Sequence, residues 1–172
     1  SIIDTRYGLK VSKPADPSRT GYTFSAWYQD SGLSTLWDFS STPVSGDKTL
    51  YAKWTALTDT AYTVEYWQQN LSDDNYTKFE TTDLTGTTDA SVTAPSKSYT
   101  GFHENTELLA STPTGTVLAD GSLVLKRYYD RNLYDLTFNS TGGSLVSSII
   151  DTRYGLKVSK PADPSRTGYT FS

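Results

Sequence analysis

The chain has 172 residues and a formal net charge of −4, and it contains no cysteine. That length allows one ordinary domain or two to three small ones. An acidic surface argues against a nucleic-acid partner, and the missing cysteines exclude disulfides, thiolate metal sites and cysteine nucleophiles. No apolar run is long enough to span a membrane. No secretory signal pattern precedes the first strand-like segment, so the export signal of an exported parent would lie outside the chain. Thirteen tyrosines, six phenylalanines and four tryptophans stand in a chain only 35% hydrophobic, a balance that suits small half-buried sheets.

In chain order, Pro14 and Pro17 bracket a stretch that cannot sit inside a central strand. Arg19-Thr20-Gly21 turns the chain into Tyr22 and Phe24, which lie two apart and share a sheet face, with Trp27 following after a slip. Ser45-Gly46-Asp47 is a turn before a strand in which Leu50, Ala52 and Trp54 alternate with Tyr51 and Lys53. Residues 55–61 read as a short polar joint. In 62–70, Tyr62, Val64 and Tyr66 alternate on one face; Leu71 to Asn75 is a polar loop, and Tyr76 to Leu84 is the returning strand. Gly101-Phe102 marks a turn, and Glu104 to Ala110 has room for one short helical turn at most. Residues 117–129 read as a hairpin with Ala119-Asp120-Gly121 at its tip. Residues 130–133 form a second joint. Tyr134, Leu136 and Phe138 then alternate before a turn at Thr141-Gly142-Gly143.

Residues 148–172 repeat residues 1–25 letter for letter, SIIDTRYGLKVSKPADPSRTGYTFS, at an offset of 147. Identity that includes solvent-facing positions implies recent duplication. The period exceeds the roughly 20–50 residues of stacked solenoid repeats and suits a pair of small domains alternating along the chain. Short joints imply a semi-rigid rod and not beads on a flexible string.

The first segment resembles the Listeria–Bacteroides repeat, also called the internalin B-repeat. The resemblance is carried by Tyr7-Gly8, Lys10-Val11, Pro14, Asp16-Pro17, Arg19, Gly21-Tyr22-Thr23-Phe24, Trp27-Tyr28, Asp30, Trp37-Asp38-Phe39, Val44 and Thr49-Leu50-Tyr51-Ala52-Lys53-Trp54. Ala26 departs from the glycine usual before the tryptophan. The middle segment resembles the mucin-binding-protein (MucBP-like) repeats of Gram-positive surface proteins. That likeness rests on Tyr62-Thr63-Val64-Glu65-Tyr66, Thr85-Gly86-Thr87, Tyr99-Thr100-Gly101-Phe102 and Gly115 to Leu123. Three domains are therefore expected: 1–54, a B-repeat module lacking its first strand; 60–131, a MucBP-like β module; and 132–172, the start of the next B-repeat. The expected fold class is α+β and β-dominated, with tandem β-grasp-like modules in an elongated rod.

If 1–54 lacks an opening strand, a row of backbone groups lies open over an apolar slot. Two readings stand. The strand carrying Tyr134, Leu136 and Phe138 fills the slot of another chain, giving head-to-tail association, or the first module is partly disordered alone and whole in a longer chain.

Candidate chemistry is sparse. His103, the one histidine, has no nucleophile elbow near it in sequence and reads as a loop residue. Asp73-Asp74-Asn75 and Asp120-Gly121-Ser122 lack the spacing of a calcium loop and read as turns. Asp73/Asp74 and Glu104/Glu107 are neighbours in polar loops without a cleft, unlike a glycosidase pair. Lys53, Lys126, Asn132 and Asn139 could be imagined in isopeptide bonds, but no motif supports them. Trp27, Trp37, Trp54 and Trp67 are better placed as core than as a sugar platform. No enzyme, cofactor or metal is expected. The resemblances imply a repeat unit in the stalk of a bacterial surface adhesin, extracellular and cell-wall-associated, spacing a distal binding domain and partnered by neighbouring repeats. The alternative is weak multivalent binding of a host glycoprotein or glycan.

Overall fold

A computed structural model of the chain describes residues 8–172, which hold ten strands and no helix. The fold is thus β throughout the described residues, and the α component of the expected α+β class is absent. The stretch given room for a helical turn shows why. Its first residue belongs to a strand, Phe102–Glu104, and the Asn105 side chain then accepts from the backbone N–H of Glu107 (3.1 Å) and Leu108 (3.0 Å). An Asx turn offers the backbone a local alternative to helix, and the segment is too short to nucleate one against it.

The strands are β1 Tyr22–Tyr28, β2 Tyr51–Ala56, β3 Thr60–Gln69, β4 Tyr76–Gly86, β5 Ser91–Thr93, β6 Phe102–Glu104, β7 Thr114–Thr116, β8 Val124–Arg131, β9 Leu133–Leu136 and β10 Ile149–Arg153. They form four small sheets: β1-β2, β5-β7, β10-β9, and a four-stranded sheet in the order β4-β3-β8-β6. The chain divides into two compact units. One takes the residues up to Tyr62 with Asp83–Val92 and Gly115–Leu123; the other takes Thr63–Thr82, Thr93–Thr114 and Val124–Ser172.

In the first unit, β1 and β2 pair antiparallel with Phe24 opposite Trp54 and Trp27 opposite Ala52, the register slipping between Phe24 and Ala26. The slip anticipated from Tyr22, Phe24 and Trp27 is a β-bulge, which lets residues of odd separation share a face. Phe24 accordingly lies 5.5 Å from Trp27 and 5.6 Å from Trp54, ring centroid to ring centroid. Segment 26–54 also returns to the start of the described chain, where Gly8 N donates to Val44 O (2.8 Å) and Val44 N to Leu9 O (3.0 Å). Trp37 is buried.

The second unit holds most of the four-stranded sheet. The alternation of β3 is realised, with Val64 and Tyr66 fully buried, and β8 runs parallel to it, adding Leu125 and Tyr129 to the same core. Tyrosine serves here as a core residue because each hydroxyl meets a polar partner. Tyr66 donates to Pro95 O (2.9 Å), and Tyr129 accepts from Lys97 N (2.9 Å). Arg127 donates its Nε to Ala94 O (2.9 Å) and pairs with Glu104.

Two expectations change in detail. Residues 117–129 do not form a hairpin: 117–123 hold no strand, β7 just before them pairs with β5, and β8 joins the other sheet, with Gly121 N donating to Leu118 O (2.9 Å) in a plain turn. The joints are shorter than read from composition. Strand character extends through Ala56 and resumes at Thr60, and Asn132 alone separates β8 from β9. Threonine and tyrosine at the joint ends favour strand enough to leave only these residues outside the ladders.

Candidate functional site at the module joints

In a chain of small sheets linked by one to three residues, the places that decide mechanical behaviour are the links. The first lies in the first unit and is made by the turn Arg19-Thr20-Gly21, the linker at Leu57 and the turns around Asp89 and Ala119. Leu57 is held at both backbone groups: its N–H donates to Gly21 O (2.9 Å) and its carbonyl accepts from Thr88 N (2.9 Å). Thr60 and Thr88, both buried, bond hydroxyl to hydroxyl at 2.7 Å. Gly21 has φ +77°, and a Cβ there would sit 2.7 Å from Ala119 Cβ and 2.8 Å from Ala119 Cα. Only glycine allows that backbone hand and that approach.

Tyr22 and Phe24 are both half-buried on one face of β1, as their spacing requires, and Tyr22 sends its hydroxyl to the Asp89 carboxylate, with the Arg19 guanidinium 3.7 Å over its ring. Donation to that carboxylate pushes the Tyr22 phenol above its ordinary range. Asp89 itself adopts a positive φ of 65°, and its N–H donates to Val117 O (3.0 Å). Neither Asp89 nor Ala119 was legible as a joint residue, since each sits in an ordinary turn sequence.

The second joint lies in the second unit and centres on Asn132. Its N–H donates to Gly101 O (2.9 Å) and its carbonyl accepts from Tyr154 N (2.8 Å). The Tyr154 ring lies against Gly101, where an added Cβ would fall 2.0 Å from Tyr154 Cδ1. Arg131 donates to Tyr154 O (2.9 Å) and Gln69 O (3.0 Å) and stands 4.8 Å over the Phe102 ring. Arg153 donates to Asp73 O (2.7 Å) and pairs with the Asp74 carboxylate. Repeated backbone bonds of this kind fix a short linker far better than one ion pair between exposed groups.

Residues singled out from sequence take other places. His103 is on strand β6, exposed, with Nδ1 2.9 Å from Asn132 Oδ1. Asp73 accepts from the Asn70 side chain (2.9 Å) and Asn75 N (2.8 Å), bonds that hold its carboxyl below the ordinary range. Asp120 does the same with the Ser122 hydroxyl (2.7 Å) and N–H (3.1 Å). Both serve turns, as read, and no group of three or more potential metal ligands occurs among the described residues. Glu104 pairs with Arg127. Lys53 stands over the Tyr28 ring, Lys126 approaches Glu65 (4.0 Å), Asn132 is in the second joint, and Asn139 accepts from Thr141 N (3.0 Å). Trp67 stacks on Tyr128 at 5.8 Å. Of the proposed strand-donor residues, Tyr134 and Leu136 lie on β9, paired with Thr152 and Ile149 of β10 and largely exposed, while Phe138 is half-buried beyond the strand end. The open slot was expected in the first module, 1–54, whose residues 1–7 lie outside the described residues.

The two copies of the repeated segment give an internal comparison. Locally they agree closely. Tyr22 N donates to Arg19 O and Tyr169 N to Arg166 O, both at 3.1 Å, and the Arg166 guanidinium lies 4.1 Å over the Tyr169 ring. Lys13 pairs with Asp16 and Lys160 with Asp163, and each lysine also caps the phenylalanine of its copy, at 5.7 and 5.8 Å. Gly21 and Gly168 have φ +77° and +78°. Burial differs: Tyr22 and Phe24 are half-buried, whereas Tyr169 is 67% and Phe171 56% exposed. The turn and its local pairs recur in both copies, while the neighbours differ in what they cover.

The family model of the Listeria-Bacteroides repeat domain matches residues 4–53 and 134–172, leaving the middle module outside the match. Two relatives from Evansella cellulosilytica align along 99% of the chain. One, provisionally named a Gly-rich membrane protein, is 30% identical; the other, provisionally named a membrane protein, is 27% identical. The chain spans 19% and 25% of their respective lengths. No solved structure matches. No helix among the described residues is long and apolar enough to cross a membrane.

Proposed function

The chain belongs to the Listeria-Bacteroides repeat family, and from that premise we propose that it is a repeat unit of a bacterial cell-surface stalk, a spacer that projects a distal binding domain. In this reading the modules follow one another end to end as an elongated rod, the middle module is a MucBP-like repeat, and the chain performs no catalysis. The parent is an extracellular, cell-wall-associated adhesin of Gram-positive type. The membrane-protein names of the two relatives are compatible with such a surface location.

The observation that carries the proposal is the joint at Asn132, a one-residue link with both backbone groups bonded, in a sequence whose 147-residue offset repeats letter for letter. A tether needs no such fixation, and a spacer does. The repeated segment also carries contacts for both kinds of joint, Arg153-Tyr154 near its start and Gly21-Tyr22 near its end. Each added period therefore brings its own connections.

Chains of one, two and three periods, compared by small-angle scattering, test this directly. A maximum dimension rising in proportion to the number of periods supports the spacer. Growth closer to the square root of chain length, as for a flexible linker, overturns it.

A further inference from the structure

Resting on the spacer reading, in which the chain carries tension along its length, we infer that strands β3 and β8 form a mechanical clamp that stays closed while neighbouring ladders open. The two strands run parallel through six register pairs, from Thr63 opposite Val124 to Gln68 opposite Tyr129. Their N-terminal ends therefore lie side by side. The chain enters this ladder at Thr63 and leaves it past Tyr129, at the opposite end. Tension then pulls β3 and β8 along their lengths in opposite directions, and the evenly spaced bonds of a parallel ladder share it.

Two other ladders meet tension differently. β1 and β2 are antiparallel, with Tyr22, where the chain enters, opposite Ala56, where it leaves. In β10-β9 the entering Leu133 is likewise opposite the leaving Arg153. Tension on such a pair opens it from one end, a bond or two at a time. Of these three ladders, only the parallel one must break as a unit.

Side chains brace the clamp against sliding. β3 and β8 are the two inner strands of their sheet, and Val64, Tyr66, Leu125 and Tyr129 are fully buried on it, which keeps water from replacing ladder bonds as they stretch. Trp67 stacks on its register partner Tyr128. Residues 94–99 cross both strands: Ala94 O accepts from Arg127, Pro95 O accepts from the Tyr66 hydroxyl, and Lys97 N donates to Tyr129. A latch closes the far end, where Arg131 N donates to Gln69 Oε1 (3.1 Å) and Arg131 Nε to Gln69 O (3.0 Å).

Single-molecule force spectroscopy on the full chain tests this, with handles on pairs of introduced cysteines, since the chain has no native one. T63C/L133C pulls the ladder in shear, whereas T63C/V124C pulls on register partners and opens the same ladder from one end. The change at Thr63 is common to both, and Val124 and Leu133 are 43% and 53% exposed, so neither second change opens the core. Either pair releases roughly 200 Å on opening, at about 3.5 Å per residue, which identifies the same event in both. The expected opening force for T63C/L133C is about twofold or more that for T63C/V124C at one loading rate, because the bonds break together. Q69A removes the side-chain acceptor of the latch; it should lower the shear force and leave the other unchanged, since the latch is the last contact reached from Thr63. A general loss of stability would lower both. Equal forces in the two geometries, or Q69A lowering both alike, overturns the clamp, and neither result touches the growth of length with period number that tests the spacer reading.

Discussion

A Gly21→Ala chain places a methyl group where the first joint has no room, and the repeat supplies the matched control. Both Gly21 and Gly168 lie in the left-handed region, at φ +77° and +78°, in the same sequence RTGYTFS. An L-residue there costs roughly 1–2 kcal/mol. At Gly168 nothing lies within 4 Å of the added Cβ, so that backbone term is the whole effect. At Gly21 the Cβ would stand 2.7 Å from Ala119 Cβ and 2.8 Å from Ala119 Cα, and the second of these is backbone that no rotamer change can relieve. Overpacking adds about 1–3 kcal/mol, bringing G21A to roughly 2–5 kcal/mol against roughly 1–2 for G168A. A119G in the G21A background removes the nearer contact and restores only part. Urea unfolding followed by Trp fluorescence reads the difference, because Trp27, Trp37 and Trp54 lie in the first unit with Gly21 and Trp67 lies in the second with Gly168. Equal midpoints for G21A and G168A would refute the claim that the turn at Gly21 is packed against Ala119.

Two further outcomes follow from the second unit. Arg127 is 12% and Glu104 21% exposed in their side chains, so R127M strands a half-buried carboxylate and the Ala94 carbonyl; it should lose roughly 2–4 kcal/mol by urea unfolding, and less than 0.5 kcal/mol would count against the network. Burial, with the hydrogen bond to Asp130 next, pushes the Tyr76 phenol up to about 12 from 10, so the folded state holds this proton more tightly than the unfolded one. The resulting stability is fully present below pH 10 and is lost as pH rises from 10 to about 12, a decline that Y76F should make shallower in urea midpoints measured across that range. Tyr99 and Tyr129, raised chiefly by burial, steepen the fall in the parent chain, so a decline identical in Y76F would show that Tyr76 contributes nothing.

What could be read from sequence was the content of individual strands. The period-two run Tyr62, Val64, Tyr66 buries as its pattern requires, and the odd spacing from Phe24 to Trp27 becomes a bulge. These features depend on residues adjacent in the chain, where side-chain alternation is a direct consequence of backbone geometry. Partner choice was not legible in the same way. Residues 117–129 have the letters of a hairpin, yet the strands on either side of their turn, β7 and β8, join different sheets, because β5 and β3 offer longer-range partners that a turn sequence does not announce. The joint was half legible: its glycine stood out as a turn, but Ala119 and Asp89 matter only through where they meet Gly21 and Tyr22.

The duplicated segment makes the same distinction within one molecule. Its turn, its lysine–aspartate pair, its arginine over tyrosine and its left-handed glycine recur in both copies, so these are properties of the twenty-five letters themselves. The strand is not. Tyr22-Thr23-Phe24 belong to β1 because β2 lies beside them, and Tyr169-Thr170-Phe171, with the same propensities, are not in a strand. Strand propensity in this family therefore acts as permission, and the ladder partner decides. In the first copy that partner arrives from Tyr51–Ala56, some thirty residues further along, so the strand at Tyr22 is a product of long-range pairing and not of its own letters.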